Sequence, residues 1–165
     1  MKLISKFIFL LSAIFLLVLA GCESSEQPAA DMPERITLGL HEHAKTFGNY
    51  TVHVNALTTD QLPSEVARAY RISRSKSRII LNVVITQKQN GTDKPVMASV
   101  TSVARNLAAQ LKNITMREII EEDAIYYIGE LSVAHGETLI FDIDVKPTNI
   151  PSPYLLTYKQ QFFTK

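Results

Sequence analysis

Along most of the chain, apolar and polar side chains alternate. Tyr50, Val52, Val54 and Ala56 are separated by Thr51, His53 and Asn55, a period of two that predicts a half-buried strand. Arg78-Ile79-Ile80-Leu81-Asn82-Val83-Val84-Ile85-Thr86 is a β-branched apolar run, short enough for a strand buried on both faces. Gln89-Asn90-Gly91-Thr92 is a turn signal, and Pro95 just beyond it fits a loop. Alternation resumes from Val96 to Arg105. Further strands are expected over Leu111–Glu121, Ala124–Val133, Glu137–Val145 and Tyr154–Phe163. One segment breaks the pattern. Pro63–Tyr70 sets Val66, Ala69 and Tyr70 at helical spacing, with Pro63 where a first turn tolerates it, so a short helix is expected there. Many short strands at intervals near ten residues predict an all-β fold. The expected architecture is an antiparallel β-sandwich, immunoglobulin-like in general shape, with one short helical insertion. A small closed β-barrel is the alternative. Helices are too few for a parallel βαβ sheet.

The N-terminus follows a different rule. Lys2 and Lys6 precede fourteen uncharged, mostly apolar residues, Phe7 to Ala20. A membrane-spanning helix needs about 20 apolar residues. A charged start, an apolar stretch and a small-residue end instead make a secretory signal over residues 1–21. Leu19-Ala20-Gly21-Cys22 resembles a bacterial lipobox. That resemblance implies that Cys22 is lipidated, palmitate included, and becomes the mature N-terminus, holding the chain to a membrane. Cys22 is the sole cysteine, so the mature domain has no disulfide and depends on its core. Residues 22–34 are polar, with prolines at 28 and 33. Such a segment buries too little surface to offset its ordering entropy, and it reads as a flexible tether reaching roughly 20 Å. The single folded domain is expected over residues 35–165.

Loss of the signal removes Lys2 and Lys6 from the 17 basic side chains and none of the 16 acidic ones. The net charge is then near −1, which offers no basic field to nucleic acid. Glu23 is not the aspartate associated with inner-membrane retention, so the outer membrane is favoured over the inner one. The expected location is the bacterial cell envelope, facing the periplasm.

Three stretches carry a family resemblance: Gly48-Asn49-Tyr50-Thr51-Val52-His53-Val54-Asn55-Ala56, Arg71-Ile72-Ser73-Arg74-Ser75-Lys76-Ser77-Arg78, and Glu122-Asp123-Ala124-Ile125-Tyr126-Tyr127. They resemble an uncharacterised family of exported bacterial proteins catalogued as domain of unknown function 4426, over about residues 46–165. The resemblance implies an exported all-β domain with no established activity. It supplies no catalytic residue, and the lipobox is a departure from its soluble members.

Several groups of side chains carry candidate chemistry. His41 and His43 form His-x-His; on a strand they would share one face about 7 Å apart and could chelate copper or zinc. A third ligand could come from His53, His135, Met97 or Met116. The plainer reading is two exposed histidines at an edge. His53 and Asn55 share the polar face of their strand, and Asn82 interrupts an apolar run. If the two strands are neighbours, these three form a polar network or line a small groove, the best ligand-site candidate in the domain. Arg74 and Arg78, with Arg71 and Lys76, concentrate positive charge that could hold an anion, or could simply be solvated or ion-paired. Glu121-Glu122-Asp123 fits a solvated turn better than an acid/base pair. Asp142 and Asp144 fall on an outer face. Tyr126, Tyr127, Tyr154, Tyr158, Phe162 and Phe163 are needed to fill the core.

No nucleophile–base pair or acid pair is legible, and no cofactor motif is present. The expectation is therefore a non-enzymatic interaction or accessory module that contacts another envelope protein or a peptide. The alternative is a small-ligand or copper/zinc-binding accessory protein.

Overall fold

The structure is a computed structural model that describes residues 33–39 and 41–165. Cys22 and the segment up to residue 32 lie outside the described residues. Residues 33–165 form one compact unit.

Among the described residues, eleven strands make two sheets. The first sheet holds β1 (Arg35–Thr37), β6 (Ala98–Asn106), β7 (Leu111–Lys112), β10 (Thr138–Pro147) and β11 (Tyr154–Gln161), in the order β1-β11-β10-β6-β7. The second holds β2 (Ala44–Phe47), β3 (Tyr50–Thr58), β4 (Arg78–Gln89), β5 (Thr92–Pro95), β8 (Arg117–Ile120) and β9 (Ile125–Ser132). Its order is β2-β3-β4-β9-β8, with β5 on the far end of β4. The sheets do not close into a barrel, so the fold is a sandwich. All pairs are antiparallel except β1 with β11, which run parallel over three residue pairs.

Alternation explains the core. Leu139, Phe141, Ile143 and Val145 of β10 are fully buried, while Asp142 and Asp144 between them face outward. There Asp142 pairs with Arg105, and Asp144 lies 2.6 Å from Arg35. Val52 and Val54 of β3 and Ile79, Leu81, Val83 and Ile85 of β4 close the other side. Tyr127, Tyr158 and Phe162 join this core, but Phe163 is 67% exposed. Phe47 and Tyr154 stack at 4.3 Å between ring centroids across one end of the sandwich.

Among the described residues, the outer face of the six-stranded sheet is only partly covered. A 3-10 turn (Thr59–Gln61) and the helix α1 (Ser64–Ala69) follow β3, where the Pro63–Tyr70 spacing places a helix. Ala67 and Ile72 pack on Ile80 and Ile128, making a second, smaller hydrophobic cluster on this face.

Four expectations change. Pro95, expected in a loop, closes the short strand β5, opposite Thr86. The run Ile79–Ile85 is not buried on both faces: Asn82 and Val84 are half-buried on the outer face, and Ile80 is buried there only because α1 covers it. The stretch Leu111–Glu121 is two short strands, one in each sheet, because the chain crosses the open side of the sandwich between them. Ile114 and Met116 turn inward at that crossing, against Gly129. His41 and His43 precede β2 rather than lying on a strand, and His41 sits in the left-handed region at φ 68°.

Candidate functional site

The β3–β4 register settles how the polar candidates meet. Asn55 lies directly opposite Asn82, and His53 opposite Val84. Cross-strand partners of this kind bring their Cβ atoms to about 4.5–5.5 Å. On its other side Asn82 faces Ile128 of β9. The strands on which that grouping depended are neighbours, so His53, Asn55 and Asn82 share the outer face of the six-stranded sheet.

Two cavities meet at Asn82. One, ≈ 370 Å³, is lined by His43, His53, Asn55, Asn82 and Val84 among others. The second, ≈ 430 Å³, is mostly apolar, with Leu57, Ile80, Tyr126 and Ile128 as floor and Val66 and Tyr70 as the α1 wall. Glu121 and Asn82 are its polar members. The Asn82 Oδ1 atom is shut off from solvent and accepts no hydrogen bond. A buried unpaired acceptor costs about 1–3 kcal/mol. Asn82 is thus the one residue common to a polar groove and an apolar one, and its carbonyl is left unsatisfied there.

A third cavity, ≈ 540 Å³, opens beside the edge of β3 and shares His43 and Asn55 with the polar groove. His41, Tyr158 and Lys159 also line it. His43 Nδ1 is 3.4 Å from the Tyr158 hydroxyl, which donates to Gln160 Oε1 at 2.5 Å. Among the described residues, no three His, Cys, Asp or Glu side chains are placed to hold one metal ion. His135 is engaged elsewhere, its Nδ1 accepting the Thr164 N–H at 3.1 Å.

Arg74 and Arg78 do not join this site. The Arg74 guanidinium donates to the Asp60 carbonyl at 2.6 Å, and Arg78 reaches Glu130 at 3.4 Å. The segment between Arg71 and Ser77 is not a strand and turns at Lys76-Ser77 just before β4.

The apolar half escaped sequence reasoning. Val66 and Tyr70 were visible as a helix face, but what they cover was not. Glu121, read as part of a solvated turn, accepts the Tyr70 hydroxyl. That hydrogen bond, more than burial, raises the Tyr70 pKa. Burial raises the Tyr127 pKa to about 12; its hydroxyl accepts the Ala98 N–H and donates to Glu118, each at 2.8 Å. Burial also raises the Tyr158 pKa, opposed by a hydrogen bond with the Ala56 backbone. At Glu137 burial pushes upward, but hydrogen bonds from Lys112, Ala134 N–H and Asn106 outweigh it and lower the pKa.

Residues 44–165 match the family model described as domain of unknown function DUF4426. The crystal structure of a DUF4426 family protein from Pseudomonas aeruginosa PAO1 is 32% identical in sequence, with a TM-score of 0.63. The match covers 73% of this chain and 93% of that one. FetP of uropathogenic Escherichia coli strain F11, solved after expression in the periplasm, is 9% identical with a TM-score of 0.53. It matches over 73% of this chain and 92% of its own, a likeness of fold alone. No curated protein matches the chain.

Proposed function

We propose, for a chain that belongs to the DUF4426 family of unknown function, a non-enzymatic binding module carried in the bacterial envelope by a lipid on Cys22. Its ligand lies on the outer face of the six-stranded sheet. The observation that carries this reading is Asn82 Oδ1, an unsatisfied acceptor where the polar and apolar cavities meet. A ligand that parts the side chains closed over that oxygen, places an N–H or O–H on it and sets an apolar group against Tyr126 and Ile128 would satisfy both halves. It is a small amphiphilic molecule or an apolar side chain of a peptide.

The shifted groups support a binding role over catalysis. Perturbed pKa values collect at catalytic sites. Here they belong to tyrosines held neutral by burial or a neighbouring carboxylate, and to Glu137 in an ion pair with Lys112. The anchor rests on the Leu19-Ala20-Gly21-Cys22 box. Native mass spectrometry of the chain extracted from envelopes tests the reading. A small ligand should travel with the wild type and be absent from Asn82→Leu; equal occupancy in both would refute it. Cys22→Ser should release the chain from the membrane fraction or leave it as unprocessed precursor, and unchanged anchoring would contradict the lipid.

A further inference from the structure

Among the described residues, the strand β11 has an unfilled lane beside it. Its partner β1 ends at Thr37, opposite Thr157, and the last contact along that lane is the Leu38 N–H on the Thr157 carbonyl at 2.9 Å. The chain then turns away. Gly39 N–H bonds Glu42 Oε2 at 2.9 Å, and Glu42 N–H bonds the Gly39 carbonyl at 3.0 Å. His43 next accepts from Val54 N–H, on β3 in the other sheet. Yet β11 continues to Gln161.

Strand geometry fixes what faces the empty lane. Backbone groups alternate between the two sides of a strand. Thr157 offers its carbonyl to β1, so Lys159 and Gln161 point their N–H and C=O the same way. Phe162 N–H confirms the opposite parity by bonding the Glu137 carbonyl at the foot of β10. Among the described residues, no backbone hydrogen bond reaches Lys159 or Gln161 from the lane side. The lane opens into the ≈ 540 Å³ cavity. Besides Tyr158, its ionisable lining residues are His41, His43 and Lys159, with no carboxylate.

The geometry points to a strand-addition site: an extended peptide carrying acidic side chains lies in the lane beyond Leu38 and pairs with Lys159 and Gln161. Four backbone groups then gain partners, as in other sheets that bind peptides by their edge. The peptide's carboxylates meet the two histidines and the lysine. The site is independent of Asn82, so Asn82→Leu leaves it intact.

Amide hydrogen exchange on the mature chain, residues 22–165 with Cys22→Ser, tests this. The probe is the heptapeptide Glu-Val-Thr-Val-Glu-Val-Thr, with a version carrying Lys for Glu as its charge control. Without peptide, the Lys159 and Gln161 amides should exchange fast and those of Tyr158 and Gln160 slowly. The acidic peptide should slow Lys159 and Gln161 by about tenfold or more, and the basic version should act far more weakly. Lys159→Pro removes a lane-facing N–H and no bond to β10, so it should keep the melting temperature and lose the effect. Lys159→Arg, which keeps both the N–H and the charge, should retain it. Protection of Lys159 and Gln161 in the free chain would overturn the proposal and give the lane to the chain's own N-terminal residues. Protection that rises with protein concentration would give it to a second copy. No change with the acidic peptide would also overturn it.

Discussion

The two faces of β4 make opposite use of similar residues. Ile79, Leu81, Val83 and Ile85 look inward and are sealed by the opposing sheet. Ile80, Asn82, Val84 and Thr86 look outward, and only Ile80 is buried, beneath α1. The inner face is finished by packing. The outer face stops halfway: α1 covers one end, a polar group stands at its margin, and grooves continue beyond. In this sandwich stability is concentrated inside, and the proposed binding chemistry sits where coverage of the outer face by the described residues runs out.

Truncation should expose that difference most sharply. Leu81→Ala removes a fully buried side chain held between two sheets, and should cost about 3–5 kcal/mol in urea unfolding. Ile80→Ala should cost about 2 kcal/mol, because α1 can settle into the space. Equal losses would mean that α1 is as rigid a cover as the second sheet.

The inner face is also intolerant of added volume. A Cβ on Gly129 would stand 2.7 Å from Ile114 Cγ1 and 2.7 Å from Met116 Sδ. Gly129→Ala should cost about 1–3 kcal/mol, read from the same unfolding curves. A neutral result would show that the crossing segment around Ile114 yields freely.

Alkali should attack from the seam between the sheets. Tyr127 is held neutral by burial, its pKa raised from 10.0 to about 12. A raised folded-state value means the unfolded chain ionises first. The stabilisation is whole below about pH 10 and is lost as the pH climbs toward 12. Urea midpoints should fall over that window, and Tyr127→Phe should flatten the fall. An unchanged slope in the variant would assign the loss to other groups.

Much of this was legible in the sequence, and for a definable reason. Period-two alternation in Tyr50–Ala56 and Glu137–Val145 reports one buried face directly. Pro63 and the Val66/Tyr70 spacing marked α1. The grouping of His53, Asn55 and Asn82 depended on their two strands being neighbours, which consecutive strands commonly are and which the β3–β4 register supplies. The β4 run hid its polarity because α1 lends its outer face enough apolar contact to admit Ile80. The apolar groove could not be read, since a helix's covering partner is a tertiary fact. The parallel pairing of β1 was invisible too: Arg35–Thr37 is three residues long and carries no alternation to detect. The His-x-His spacing misled because a left-handed residue at His41 breaks the strand that the geometry assumed.

The central claim is that the outer face keeps Asn82 for a ligand and not for the fold. Urea unfolding of Asn82→Leu tests it directly. With no hydrogen bond to lose at Oδ1 and apolar neighbours at Ile80 and Ile128, the substitution should raise stability by about 1 kcal/mol while abolishing ligand binding. A loss of about 1–3 kcal/mol would instead show that the amide has a structural partner, and would contradict the account.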